Sequence, residues 1–269
     1  MAIKDITLGQ YYPGESAVHR LDARTKILAT TVFLVSLFLV KSFTGFVFCA
    51  LFLGIIIKIS GVPFKFIVRG LKAVVMIIVF TTLLNMFMTP GNVLWQWKIL
   101  KITDTGLYRA CFMSIRLVLL ILGSSMLTLT TKPVTLTDGL EKLFKPLGKV
   151  GLPAHELAMM MTIALRFIPT LLDETDKIMK AQTARGADFE SGSLKDRAKA
   201  LIPILVPLFV SAFRIAGDLA MAMEARCYRG GDGRTRMTAM EFKKKDGLAA
   251  VIMVLFVAAV VVMGRLPLI

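Results

Sequence analysis

The sequence is poor in the residues that carry covalent and metal chemistry. It has three cysteines, Cys49, Cys111 and Cys227, far apart and with no CxxC pair, and two histidines, His19 and His155, with no companion at metal-ligand spacing. That distribution supports neither a disulfide framework nor a metal site. No GxxxxGK[ST], GxSxG or HExxH pattern occurs, so the sequence marks of an ATPase, a serine hydrolase or a zinc protease are missing. The densest acidic cluster, Asp173, Glu174 and Asp176, is flanked by Lys177 and Lys180 and reads as a solvated helix face. The first residues, MAIKDITLGQYYPGESAVHRLDARTK, lack the short basic start and apolar core of a cleavable signal peptide. The first span is therefore expected to remain in the mature protein.

Acidic charge is scarce too, with 18 Asp and Glu against 33 Lys and Arg, for a net charge of +15. Hydrophobic residues make up 56% of the chain and mean hydropathy is +0.71, too apolar for a water-soluble domain of this length. Basic charge on so apolar a chain is the pattern of a membrane protein whose Lys and Arg collect in cytoplasmic loops. Nucleic-acid binding is the weaker reading, because apolar positions interleave with the basic ones and aromatics are few.

Between residues 27 and 57 only Lys41 is charged. That stretch is too long for one crossing of roughly 20 residues, so two short spans turning at Lys41-Ser42 are expected. A third span covers 73–87 and is followed by Thr89-Pro90-Gly91-Asn92 and an interfacial loop bearing Trp95 and Trp97. A fourth covers about 106–129 and contains Arg109 and Arg116, for which snorkelling or pairing with an acid such as Asp218 is the default reading. A fifth covers 247–263. Four Lys and Arg precede the first span, four lie between the second and third, and nineteen between the fourth and fifth, against Lys41, Lys98, Lys101 and Arg265 on the alternate side. The positive-inside rule then places the N-terminus in the cytoplasm and the C-terminus outside.

The segment 131–246 is neither continuously apolar nor low in complexity, and it is expected to fold in water or on partners. Its punctuation predicts three helices. The first opens near Thr137-Asp138 and closes before Pro146. The second starts at Pro153, a natural first-turn proline, is kinked at Pro169 and ends at Gly186. The third has Ser193 as N-cap with Asp196 three residues on, contains Pro203 and Pro207, and ends at Gly230-Gly231. The two long helices end alike, in Ala184-Arg185-Gly186 and Ala225-Arg226-Cys227, an Arg between two small residues. An Arg there compensates the helix dipole and caps carbonyls. With unobstructed neighbours it can also enter a partner's groove and bond carbonyls or carboxylates there.

These endings resemble those of the T component of energy-coupling factor transporters, in the broad family of CbiQ-type subunits of cobalt and nickel importers. The resemblance extends to Pro13-Gly14-Glu15-Ser16, His19-Arg20-Leu21-Asp22-Ala23-Arg24-Thr25-Lys26, residues 136–153, Ala164-Leu165-Arg166-Phe167-Ile168-Pro169 and Ala220-Met221-Ala222-Met223-Glu224-Ala225-Arg226. Ala23 stands where the family has proline, and Cys227 where glycine is common. The resemblance implies an all-α membrane protein of about five transmembrane helices with a cytoplasmic coupling domain of three helices, two of them long and crossed. The corresponding division is 1–26, 27–130, 131–246 and 247–269. It also implies two ABC-type ATPase partners, each receiving one Arg-ended helix through Ala184, Arg185 and Gly186 or Ala225, Arg226 and Cys227. Those partners would hold ATP and Mg, with no cofactor in this chain. A membrane-embedded S component that captures a vitamin or metal ion would rest on the long helices, and Met160, Met161, Ala164, Ala216, Ala220 and Met223 are its expected contacts. Small residues permit close approach, and Met adapts to partners of different shape. The chain is expected to be a non-catalytic subunit in the lipid bilayer with no nucleic-acid partner; a dedicated CbiQ-type permease subunit is the alternative.

Overall fold

The computed structural model describes residues 11–72, 74–97, 100–146, 153–187, 189, 194–230 and 241–265. Helices dominate, in the order α1 (Ala23–Leu39), α2 (Phe43–Ser60), α3 (Phe64–Lys72), α4 (Val75–Met88), α5 (Asp104–Thr130), α6 (Pro133–Phe144), α7 (Ala154–Ala184), α8 (Leu194–Ala225) and α9 (Lys244–Arg265). A short antiparallel hairpin, β1 (Val93–Trp97) with β2 (Leu100–Thr103), joins α4 to α5. The chain is an all-α membrane protein with this one hairpin added where an interfacial loop was expected. Among the described residues α2, α5, α7, α8 and α9 are long and apolar enough to cross a bilayer, and α3 with α4 forms a bent pair that together meets the same standard. Of the expected spans, the second, fourth and fifth fall on α2, α5 and α9 of that set, the third on α4 of the bent pair, and the first on the 17-residue α1. Segment 64–72, read as part of a loop, is helical, with Lys65 exposed and Ile67 fully buried on the opposite side.

The described residues form two compact units, one made of those from 11 to 143 with 241–265, the other of those from 144 to 230. In the larger unit the turn between the first two spans falls where Lys41-Ser42 placed it. Val40 ends α1, and Ser42 opens α2 by accepting from the Gly45 amide. The core of this unit is built from Phe33, Leu37, Phe46, Cys49, Leu53, Leu119, Met126 and Phe256. Phe256 of α9 is its hub, with its ring 4.2 Å from Phe52, 5.5 Å from Phe48 and 5.8 Å from Phe33. Helix α5 can approach α1 closely because residue 123 is glycine. A Cβ there would stand 2.6 Å from Cε1 of Phe33. Arg116 of α5 donates to the Val40 carbonyl at the end of α1 (3.1 Å) and lies over the rings of Phe112, Phe38 and Phe46. A carbonyl and three aromatic faces therefore engage the charge inside this unit.

The segment before α1 ties three helix ends together. Asp22 caps α1, accepting from the Arg24 amide, and forms a two-pronged pair with the Arg24 guanidinium at 3.0 Å. The Asp22 amide donates to Asp246 at the start of α9 (2.8 Å), whose other oxygen accepts from the Lys243 amide. Lys26 donates to the carbonyls of His19 (3.0 Å) and of Thr130 at the end of α5 (2.9 Å). The Tyr12 amide adds a bond to Leu129. Lys26 and Asp246 are 7% and 4% exposed, and such buried charges are tolerated only when hydrogen-bonded in this way. Helix α6 packs alongside, its Gly139 facing Ala23 and Ile27 of α1.

Gly123→Val should separate α1 from α5 and lower the thermal stability of the detergent-solubilised protein, an overpacking cost of about 1–3 kcal/mol; an unchanged melting temperature would contradict the close approach. Acid should loosen the α1 end. Burial and the nearby Lys26 charge outweigh a hydrogen bond to the Tyr12 carbonyl, holding His19 below its ordinary 6.5. Burial opposes ionisation of Asp22, yet the Arg24 hydrogen bonds and charge hold its carboxyl below its ordinary 3.8. Both groups bind fewer protons folded than unfolded in their windows, so both contributions are present above the unfolded values and are lost as pH falls. The melting temperature should decline below about pH 6.5 and again below about 4, with Asp22→Asn flattening the second step.

Candidate coupling surface

The smaller unit is a helical pair. Gln182 of α7 meets Pro203 of α8, Glu174 meets Ser211, and Met159 meets Tyr228 just beyond α8. Residue numbers rise along one helix as they fall along the other, so α7 and α8 run antiparallel. The Gln182 contact has a specific cause. In a regular helix the Pro203 carbonyl would accept from the amide of residue 207, but that residue is proline and has no N–H. The vacated carbonyl accepts the Gln182 side-chain amide instead (3.2 Å). Two prolines one turn apart thus create a docking point for α7 while α8 continues unbroken from Leu194 to Ala225. Helix α7 likewise runs through Pro169.

Both helices stop in the same way. At the end of α7 the Gly186 amide bonds the Thr183 carbonyl (2.9 Å) and the Ala187 amide the Gln182 carbonyl (3.0 Å). At the end of α8 the Cys227 amide bonds Glu224 (2.8 Å) and the Tyr228 amide bonds Met223 (3.0 Å). Each is a Schellman turn with the arginine at the cap and the next residue in the left-handed conformation. Gly186 has φ 89° and Cys227 has φ 55°, and Cys227 is the only non-glycine among the described residues with positive φ. Cys227 thus makes the same turn that Gly186 makes at the end of α7, at a backbone cost of about 1 kcal/mol. It ends α8 at Ala225, ahead of the expected Gly230-Gly231.

Ala184, Arg185, Gly186, Ala225, Arg226 and Cys227 are all exposed. Because the pair is antiparallel, the two arginine caps lie at opposite ends of it. The levels of Met159 and Arg185 along α7 are roughly 40 Å apart at about 1.5 Å per residue. Among the residues expected to contact an S component, Met160, Met161, Ala164, Ala216 and Ala220 are exposed and Met223 is half-buried. Helix α8 carries a further exposed apolar stripe that sequence reading did not single out. Ile202, Val206, Phe209, Val210 and Phe213 of α8 recur every three or four residues, with Phe213 75% exposed. Their turn spacing was the available signal. Ser193, the expected N-cap of α8, lies outside the described residues, and Pro153, expected inside the first turn of α7, stands one place earlier as its cap.

The sequence profile of the CbiQ family, described as cobalt transport protein, matches residues 14–237. This chain is a member of the CbiQ family. A protein of Clostridium kluyveri described as energy-coupling factor transporter transmembrane protein EcfT is 59% identical over 250 residues, covering 92% of this chain and 93% of its own. Proteins of the same description from Thermosediminibacter oceani and Bacillus subtilis are 57% identical over 263 residues and 49% identical over 252. The first alignment covers 98% of this chain and 99% of the relative, the second 93% and 95%. Membership thus spans both structural units of this CbiQ-family chain.

The two caps should respond oppositely to substitution. Gly186→Val places a β-branched residue at positive φ and should destabilise the end of α7 by about 1–2 kcal/mol. Cys227→Gly should be neutral or stabilising by about 0.4–1 kcal/mol. Hydrogen exchange at the amides of residues 186–187 and 227–228 reads both outcomes. Gln182→Leu should leave the Pro203 carbonyl without its donor, costing about 1 kcal/mol and raising exchange along both helices.

Proposed function

We propose that this chain is the transmembrane coupling subunit of an energy-coupling factor importer, transmitting the work of two ABC-type ATPases to a membrane-embedded S component that carries a vitamin or metal ion. The observation that carries the reading is the pair of matching, exposed arginine caps at opposite ends of one antiparallel helix pair. A single chain that must engage two similar subunits needs two similar contact points set far apart, and α7 and α8 supply them. Each guanidinium offers five N–H donors in a rigid fork, suited to carbonyls or carboxylates in a protein groove. The small neighbours leave each fork approachable. The names and extents of the relatives from Clostridium kluyveri and Thermosediminibacter oceani support the assignment. ATP and Mg belong to the ATPases in this reading, and this chain supplies no catalytic group and no cofactor site.

Helices α7 and α8 are apolar enough to span, yet Arg166, Asp173, Arg214 and Asp218 along them are charged, and Arg166, Asp173, Arg214 and Asp218 are exposed. Placing such groups in hydrocarbon would cost about 2.5 kcal/mol or more each. We therefore place the pair at the cytoplasmic membrane surface, with charged faces toward water and the ATPases and the apolar face, including Met160, Met161, Ala216 and Ala220, toward the S component and lipid. The N-terminus shares that side and the C-terminus lies outside, as the distribution of Lys and Arg favours. Nucleotide-driven movement of the ATPases would displace the caps, and the helix pair would carry that displacement to the S component. A subunit dedicated to a single importer of cobalt, nickel or one vitamin is the second reading, supported by the family description as cobalt transport protein.

Arg185→Ala with Arg226→Ala should leave the protein in the membrane and abolish substrate uptake by cells that depend on it. Truncation at such anchors costs about 2 kcal/mol or more per site. Co-purification should show loss of the ATPases, and normal uptake by the double variant would refute the coupling role. Mass spectrometry of what co-purifies with the parent protein separates the readings, several S components marking a shared subunit and one a dedicated subunit.

A further inference from the structure

A cavity of about 420 Å³ lies at the foot of the larger unit, between the segment preceding α1, the end of α5 and the start of α6. Its size falls in the range of small-ligand sites. Its lining is cationic. Lys26 donates two of its three ammonium hydrogens to carbonyls, leaving one donor uncommitted. Lys132 sits over the Tyr11 ring at 5.8 Å. Arg20 is matched by Glu15 at 2.8 Å, so that pair adds no net charge. His19, depressed by burial, is neutral above its ordinary range and both its ring nitrogens are engaged, by Ser16 and by the Tyr12 carbonyl. The Lys26 charge is offset by the nearby Asp246 and Asp22 carboxylates, so Lys26 offers the cavity a hydrogen-bond donor and Lys132 supplies its uncompensated positive charge. Thr131 also lines the cavity; it is 4% exposed and its hydroxyl has no hydrogen-bond partner among the described residues. A buried hydroxyl left in that state is unfavourable and calls for an acceptor or donor that the protein does not provide.

The level of the cavity narrows the ligand. It sits where the apolar run of α1 begins and that of α5 ends, so it opens at headgroup depth whichever side of the membrane it faces. Basic pockets between helix ends at that depth suit the phosphate of an anionic lipid. We propose that this cavity is a binding site for a phosphate-bearing anion, held by Lys26 and Lys132 and hydrogen-bonded by Thr131. The bound phosphate would join the ends of α1, α5 and α6. It would come from a membrane phospholipid or from free phosphate in solution, and the site chemistry is the same for both.

The test compares the full-length protein with Thr131→Val/Lys132→Gln, which spares the structural Lys26. Native mass spectrometry after exchange into vesicles of phosphatidylglycerol or of phosphatidylcholine reads retained lipid, and phosphorus NMR of the delipidated protein with inorganic phosphate reads the free anion. Retention of phosphatidylglycerol over phosphatidylcholine that drops about fivefold or more in the variant, equivalent to about 1 kcal/mol, supports the site with a lipid source. Phosphate binding lost in the variant, with no lipid preference, supports it with a soluble source. Equal lipid retention by parent and variant together with no phosphate binding by the parent overturns the proposal. Should the double variant fail to fold, Lys132→Gln alone, at an exposed position, keeps the test decidable, and unchanged anion retention by it would overturn the proposal equally.

Discussion

The ends of helices α1, α5 and α9 meet around two buried charges, and the arrangement of the larger unit depends on how those charges are satisfied. Helix ends leave backbone N–H and C=O groups without partners, and beside a bilayer water cannot always supply them. Lys26 satisfies a carbonyl at the end of α5, and Asp246 an amide at the start of α1. Each charge thus closes a helix that is not its own. Removing either would expose a carbonyl or amide and strand the residual charge on the other helices. The aromatic packing of Phe256 against Phe33, Phe48 and Phe52 fills the space between helices, but the polar knot sets the level at which they align.

The smaller unit solves a different problem with the same economy of parts. Proline is unfavourable inside a helix because it removes a donor, yet Pro207 frees a carbonyl that Gln182 uses to hold the partner helix. The matching Schellman turns satisfy the last carbonyls of both helices, leaving the arginine side chains uncommitted to capping their own backbone. The dipole argument made from the sequence accounts for arginine near a helix end, whereas the geometry shows that the backbone itself performs the capping.

Much of the fold was legible because its signals are local. Lys41-Ser42 marked the first turn, Thr89-Pro90-Gly91 the end of α4, and Ala184-Arg185-Gly186 the end of α7 to within a residue. Helix α3 was missed because Lys65, Arg69 and Lys72 were weighed as loop charge, although their spacing marks one face of a helix. The hairpin was missed because two tryptophans suggested an interface before a strand. The end of α8 was set too late because a glycine pair outweighed Cys227, which adopts the left-handed turn itself. Of the candidate surface, the two arginine caps were legible as a repeated motif. Their placement at opposite ends depends on contacts between residues as far apart as Met159 and Tyr228, which no local pattern carries.

Antiparallel pairing has a consequence for symmetry. Two like helices running in opposite directions are related by an approximate dyad passing between them, so a rotation of half a turn carries one arginine cap onto the neighbourhood of the other. A single asymmetric chain thereby presents a nearly two-fold face. Any assembly that is itself two-fold can receive it in either of two orientations, and Cys227 in place of a second glycine is the small mark that distinguishes one orientation from the other.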